Sequence, residues 1–138
     1  MKAYLTPVIA AAALLLWSAP VRAHHPFAAE FDKDKPVHVT GTVSKIDWAN
    51  PHAVLQVDEK GPDGHMTNWT FELGSPNALT RRGWKQATLK TGDEVTVDGW
   101  VARGDPHRAN AKMVKMAGGK ELNAASSYYD KPAKKNSH

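Results

Sequence analysis

Over most of residues 37–116 apolar side chains alternate with polar ones, with two changes of phase and one change of period. Val37, Val39, Gly41 and Val43 form one set, and the set then shifts to Ile46 and Trp48. Period-two alternation puts every second side chain on the buried face of a strand. A one-residue shift inside it is what an extra, bulged residue produces. Asn50-Pro51 predicts a turn. Ala53, Leu55 and Val57 then make a second strand, and Lys60-Gly61-Pro62-Asp63-Gly64 a hairpin connection. Thr67, Trp69, Phe71 and Leu73 form the third strand.

At Ser75-Pro76 the period changes. Ser as N-cap accepts from an orphan amide and Pro at the first helical position needs no donor, so a short helix is expected over Asn77 to Arg82. Gly83 stands where a helix ends in a left-handed residue. Alternation resumes with Val95, Val97, Gly99 and Val101, turns at Gly104-Asp105-Pro106, and continues through Ala109, Ala111 and Met113 before shifting to Val114 and Met116.

Three strands, a helix and two strands, the first strand bent, predict an all-β fold with one short helix: an OB-fold-like five-stranded Greek-key barrel. A sandwich is the rival, and the lone helix between the third and fourth strands favours the barrel. Ligands of OB-folds gather at the first-to-second and fourth-to-fifth strand loops. Here these loops hold Asn50-Pro51-His52 and Gly104-Asp105-Pro106-His107. The expected division is a cleaved signal at 1–23, an arm at 24–35 pinned by Phe27 and Phe31, the barrel at 36–122 and a flexible basic tail at 123–138.

The signal follows from the first residues. Lys2 precedes an uncharged apolar run from Val8 to Trp17, and Val21-Arg22-Ala23 presents compact residues at −3 and −1. The run is too short to span a bilayer, which takes about twenty apolar residues. Cleavage after Ala23 makes His24 the new N-terminus, places the protein in the periplasm or outside the cell, and leaves no membrane span. Losing Lys2 and Arg22 leaves 16 basic against 14 acidic residues, so the formal charge falls from +4 to +2. That is a poor match to a phosphate-tracking groove, and nucleic acid is not an expected partner. The chain has no cysteine, which excludes disulfides, thiolate metal sites and thiol chemistry.

His24-His25 with Phe27-Ala28-Ala29-Glu30-Phe31-Asp32, Trp48-Ala49-Asn50-Pro51-His52-Ala53, and Ser75-Pro76-Asn77-Ala78-Leu79 with Arg81-Arg82-Gly83-Trp84 resemble a family of small exported bacterial proteins catalogued as a domain of unknown function. The resemblance runs from the signal junction to about Val114. It implies an exported small β-domain and carries no activity with it. Pro26 stands where the pattern has Ser, and His107 is no part of that pattern.

A processed His24 offers an α-amine, with an ordinary pKa near 8, and an imidazole Nδ1 that close a six-membered chelate. One further imidazole completes a three-nitrogen set that suits the tetragonal preference of Cu(II). His52 is the best third ligand, with His25 or His107 as substitutes. A second arrangement uses the His24 amine with the His25 amide and imidazole. Against these stand plainer readings: a solvated terminal histidine pair, and a His52 bonded to its own turn. Asn50, Trp48 and Trp100 are the candidate ligand-binding residues, Trp100 because its parity opposes that of Val97 and Val101. No acyl-transfer, nucleotide-binding or zinc-protease motif occurs in the sequence.

The expectation is thus a non-catalytic exported binding module, its partner an unknown small ligand or a periplasmic protein, carrying copper or another transition metal through the processed His24 and His52. The alternatives are an oligosaccharide- or nucleic-acid-type OB module and a copper oxidoreductase built on His24 and His52.

Overall fold

The computed structural model describes residues 27–126. The expectations for the signal segment, for His24 and His25, and for the chain beyond Ser126 lie outside the described residues. A single helical turn, α1 (Phe27–Glu30), leads into β1 (Phe31–Asp47), followed by β2 (Val54–Lys60), β3 (Met66–Glu72), α2 (Pro76–Arg81), β4 (Glu94–Ala102), β5 (Asp105–Met116) and β6 (Glu121–Asn123). The sheet runs β3-β2-β1-β4-β5-β6, and a parallel pairing of β3 with β5 closes the first five strands into a barrel. Closure, the single α2 between β3 and β4, and the long bent β1 are those of the expected OB-like fold.

The bend in β1 lies where the apolar phase shifts: Val43 pairs with Val57 and Lys45 with Gln56, so Ser44 is the extra residue. A tight barrel also needs backbones to approach closely at two glycines. A Cβ on Gly41 would lie 2.3 Å from the Asp58 carbonyl oxygen, and one on Gly99 2.0 Å from that of Asn110. No other residue fits there. Val39, Val43, Leu55, Val57, Phe71, Leu73, Val97 and Val114 fill the interior, each contributing about 1.5–3 kcal/mol by full burial.

The helix is capped as the sequence implies. Ser75 Oγ accepts from the Ala78 amide at 3.2 Å, Pro76 opens the helix, and Gly83 has φ +94°.

The boundaries differ at both ends. The first strand starts at Phe31 rather than near Val37, because Phe31 pairs with Ala102 and Pro36 with Trp100 around an irregular stretch carrying the charged Asp32–Lys35 run. Residues 123–126, expected in the tail, belong to the fold. Leu122 packs into the core from β6, and Ala124, Ala125 and Ser126 are buried. This segment is held by backbone and side-chain donors: Gly74 N–H to the Ala124 carbonyl at 2.9 Å, Trp84 Nε1 to that of Asn123 at 2.8 Å, and Arg82 to that of Ala125. Small apolar residues give little periodic signal, which is why the sequence does not announce this clasp.

Candidate functional site

The turn after β1 delivers the first of the expected site residues. Asn50 is exposed ahead of a cis Pro51, and Trp48 is half-buried against the main core. His52 follows. Its Nδ1 lies 3.0 Å from the Leu73 carbonyl oxygen, which can only accept, so Nδ1 carries the proton. In the neutral ring Nε2 is therefore the atom with the free lone pair. Nε2 faces Glu72 Oε1 at 3.5 Å, and the other carboxylate oxygen of Glu72 lies 3.7 Å from Arg108 Nη1. All three side chains are only about a quarter to a third exposed.

Glu72 comes to this place through the barrel closure. It lies between Phe71 and Leu73, which fill the interior, so alternation turns it outward. It pairs with Asn110 on β5, and Asn110 pairs with Trp100 on β4. Directly paired residues share a face, so Glu72, Asn110 and Trp100 form one row on the outside of the barrel. Arg108, two residues before Asn110, lies on the same face.

The arm borders this row. Phe27 and Phe31 stack with ring centroids 5.2 Å apart, Phe27 meets Trp100 edge-on at 5.7 Å, and the Arg108 guanidinium lies 5.0 Å from the Phe31 ring centroid. Arg103 ties the arm down by donating from its backbone to the Glu30 carbonyl at 2.8 Å and from Nε to that of Ala28 at 2.9 Å. Trp100 is consequently half-buried, not the open aromatic its parity suggested.

Asn110 is 1% exposed although it points out of the barrel, and its Oδ1 has no hydrogen-bond partner among the described residues. A buried acceptor left unpaired costs about 1–3 kcal/mol, and such atoms in native proteins call for an unseen partner.

Burial raises the Glu72 carboxyl above the ordinary carboxylate range; His52 opposes that rise, Glu30 adds to it by like-charge repulsion, and Arg108 opposes it. Glu72 and Glu30 thus lie among two basic side chains, the Arg108 guanidinium and the His52 imidazole.

His107 stands apart from this group. It alternates with Arg108, so it projects from the opposite face, where it meets Trp69 edge-on at 5.5 Å. Among the described residues no cluster of three or more His, Asp or Glu side chains is placed to hold a metal ion, so His52 and Glu72 are at most part of a centre.

Sequence reasoning missed Glu72, Asn110 and Arg108. Glu72 was legible as a polar position between two core residues, but its nearness to Asn110 depends on the parallel β3–β5 pairing. It also missed the exposed pair His38 and Asp98, whose Nδ1 and Oδ1 are 2.5 Å apart. They line one side of a surface groove of about 460 Å³ that includes Trp100, Lys112 and Met113.

No helix among the described residues is long and apolar enough to cross a membrane. A comparison with curated proteins finds none that matches the chain. Residues 12–110 match DUF6152, a family of unknown function, in a span that takes in His24 and His25 as well as the barrel as far as Asn110, and the chain belongs to that family.

Proposed function

We propose that the protein is an exported binding module that holds a divalent transition metal, Cu(II) by preference, at a centre completed when signal removal frees the His24 amine. The observation that carries this reading is the hydrogen bond from His52 Nδ1 to the Leu73 carbonyl. Metal-binding histidines characteristically donate their second ring nitrogen in this way, which fixes the tautomer and aims the other nitrogen at the ion.

Chain length supports delivery of His24 to the same place. His24 stands three positions before Phe27, a reach of about 10 Å at most. Phe27 is anchored in a run of contacts that passes through Phe31 and Arg108 to Glu72 and His52. The amine and Nδ1 of His24 with Nε2 of His52 make a three-nitrogen set suited to tetragonal Cu(II). The function assigned is binding without turnover.

The test uses protein exported on its own signal, its N-terminus fixed by intact mass, titrated with Cu(II) under electron paramagnetic resonance. One stoichiometric site with three-nitrogen coupling is expected, lost on His52→Ala and in a chain that keeps Met-Ala before His24. A signal indifferent to both changes refutes the assignment.

A second reading, an oligosaccharide-binding module, is favoured by the groove between Trp100 and the His38–Asp98 pair, where an aromatic ring and a carboxylate stand side by side. Quenching of tryptophan fluorescence by neutral oligosaccharides, absent in Trp100→Ala, distinguishes it.

A further inference from the structure

Resting on the oligosaccharide reading above, we propose that the outer face of β1, β4 and β5 binds an acidic oligosaccharide, with a uronate ring seated against Trp100 and its carboxylate held by Lys112. This face is a track rather than a single hollow. Pairing across the three strands sets residues in successive rows: Pro36 with Trp100, His38 with Asp98 and Met113, and Thr40 with Thr96 and Lys115. The groove of about 460 Å³ covers the first two rows, and a second hollow of about 290 Å³ continues it over the third. His38 lines both. At about 3.3 Å per residue the rows span roughly 13 Å, room for a chain of sugar rings rather than one.

Each hollow supplies a different part of the recognition. Pro36, Val37, Trp100 and Met113 give the first an apolar floor, suited to the C–H face of a pyranose ring. Beside it stands a pair of acceptors. An ionised Asp98 can only accept, so the 2.5 Å contact of its Oδ1 with His38 Nδ1 places the proton on Nδ1. In the neutral ring Nε2 is then an acceptor, and both side chains are exposed. Adjacent ring hydroxyls match that nitrogen and the second oxygen of Asp98. In the second hollow Thr40 and Thr96 set their hydroxyl oxygens 2.9 Å apart, and Lys115 and Glu94 bring one charge of each sign. That lining suits a neutral sugar ring.

Lys112 decides the charge of the ring in the first hollow. Gly99 pairs with Ala111 and Asp98 with Met113, so β5 carries one extra residue there, and that residue is Lys112. A bulge re-aims a side chain, and here the ammonium comes to 5.7 Å from the Trp100 ring centroid while lining the hollow. The remaining charge at this hollow is committed, because Asp98 is engaged by His38. Lys112 makes no ion pair among the described residues. A carboxylate on the ring that covers Trp100 therefore meets an uncommitted cationic donor.

The experiment uses the exported protein and its Lys112→Gln variant, both first shown folded by thermal unfolding. Trimers of galacturonate, glucuronate and mannuronate, each as the free acid and as its methyl ester, are titrated by tryptophan fluorescence and calorimetry at low and high salt. At least one acid is expected to bind about 5-fold or more tighter than its ester, the scale of a hydrogen bond to a charged group. That margin should vanish in Lys112→Gln, with ester affinity unchanged, and shrink at high salt. Acid and ester bound alike by the wild type, or an acid preference that survives Lys112→Gln, would overturn the uronate assignment and leave the oligosaccharide reading standing. Silence from acids and esters alike would remove both.

Discussion

Phe27→Ala separates the arm from the barrel without entering the barrel core, and the structure sets the size of its effect. Phe27 is 5% exposed and belongs to a small cluster with Phe31 and Ala102, distinct from the interior. Burial of a phenylalanine side chain contributes about 1.5–3 kcal/mol, and the edge-on contact with Trp100 adds about 0.5–1.5 kcal/mol. Arg103 still holds the Ala28 and Glu30 carbonyls, so part of the docking energy survives. A loss of about 1.5–3 kcal/mol in arm docking lowers an affinity that depends on the docked arm by roughly 10- to 150-fold, at 1.4 kcal/mol per tenfold. Barrel stability should change far less than the 3–5 kcal/mol of a core Phe→Ala substitution. Calorimetric titration of processed protein with Cu(II), paired with urea unfolding, reads both quantities. Copper affinity within twofold of wild type, with the arm shown to be released by amide exchange at Phe31, would refute the idea that the arm delivers a ligand.

Two further substitutions probe the site and the clasp. The raised folded pKa of Glu72 means the fold favours its protonated form, so its contribution is fully present below the unfolded pKa and is lost as pH rises through the folded one. Metal-free Glu72→Gln is therefore expected to gain stability relative to wild type between acid and neutral pH, the two converging in acid; parallel unfolding curves across that range would contradict this. Trp84→Phe removes the donor to the Asn123 carbonyl, and should cost about 1–3 kcal/mol and increase amide exchange through residues 121–126; an unchanged urea midpoint would mean that the clasp is held without it, by Gly74, Arg82 and the pairing with β5.

What the sequence disclosed follows from how local each signal is. The bulge in β1, the capped helix at Ser75-Pro76 and the left-handed Gly83 are written in a few neighbouring residues, so period and cap chemistry sufficed. The arm was legible in part: Phe27 and Phe31 flagged an anchored segment, while the pairing of Phe31 with Ala102 required knowing where β4 ends. His52 was legible by residue type and turn position. Glu72 was not, because nothing within five residues of it distinguishes an outward carboxylate on a barrel from a site residue. Its partners, Asn110 and Arg108, stand nearly forty residues away and meet it only through the parallel closure. His107 shows the converse, since its loop position suggested convergence with His52 and strand parity sends it to the other face.

The placement of the site explains why a polar centre is tolerated on so small a fold. An ion bound inside the barrel would displace the apolar layer of Leu55, Phe71 and Val97, which are fully buried and stabilise the closure. On the outer face the same strands provide rigid spacing without sacrificing that layer, and the arm supplies the exclusion of water that an outer face lacks. The cost falls on three residues: Glu72, held partly out of water beside Glu30; Asn110, buried with an unmatched oxygen; and Arg108, stacked on Phe31 rather than solvated. The first two are unfavourable alone, while Arg108 gains a cation–π contact for what it loses in solvation. Local conflicts of this kind concentrate at functional sites, and on this barrel they converge beside His52, on the face that the arm borders.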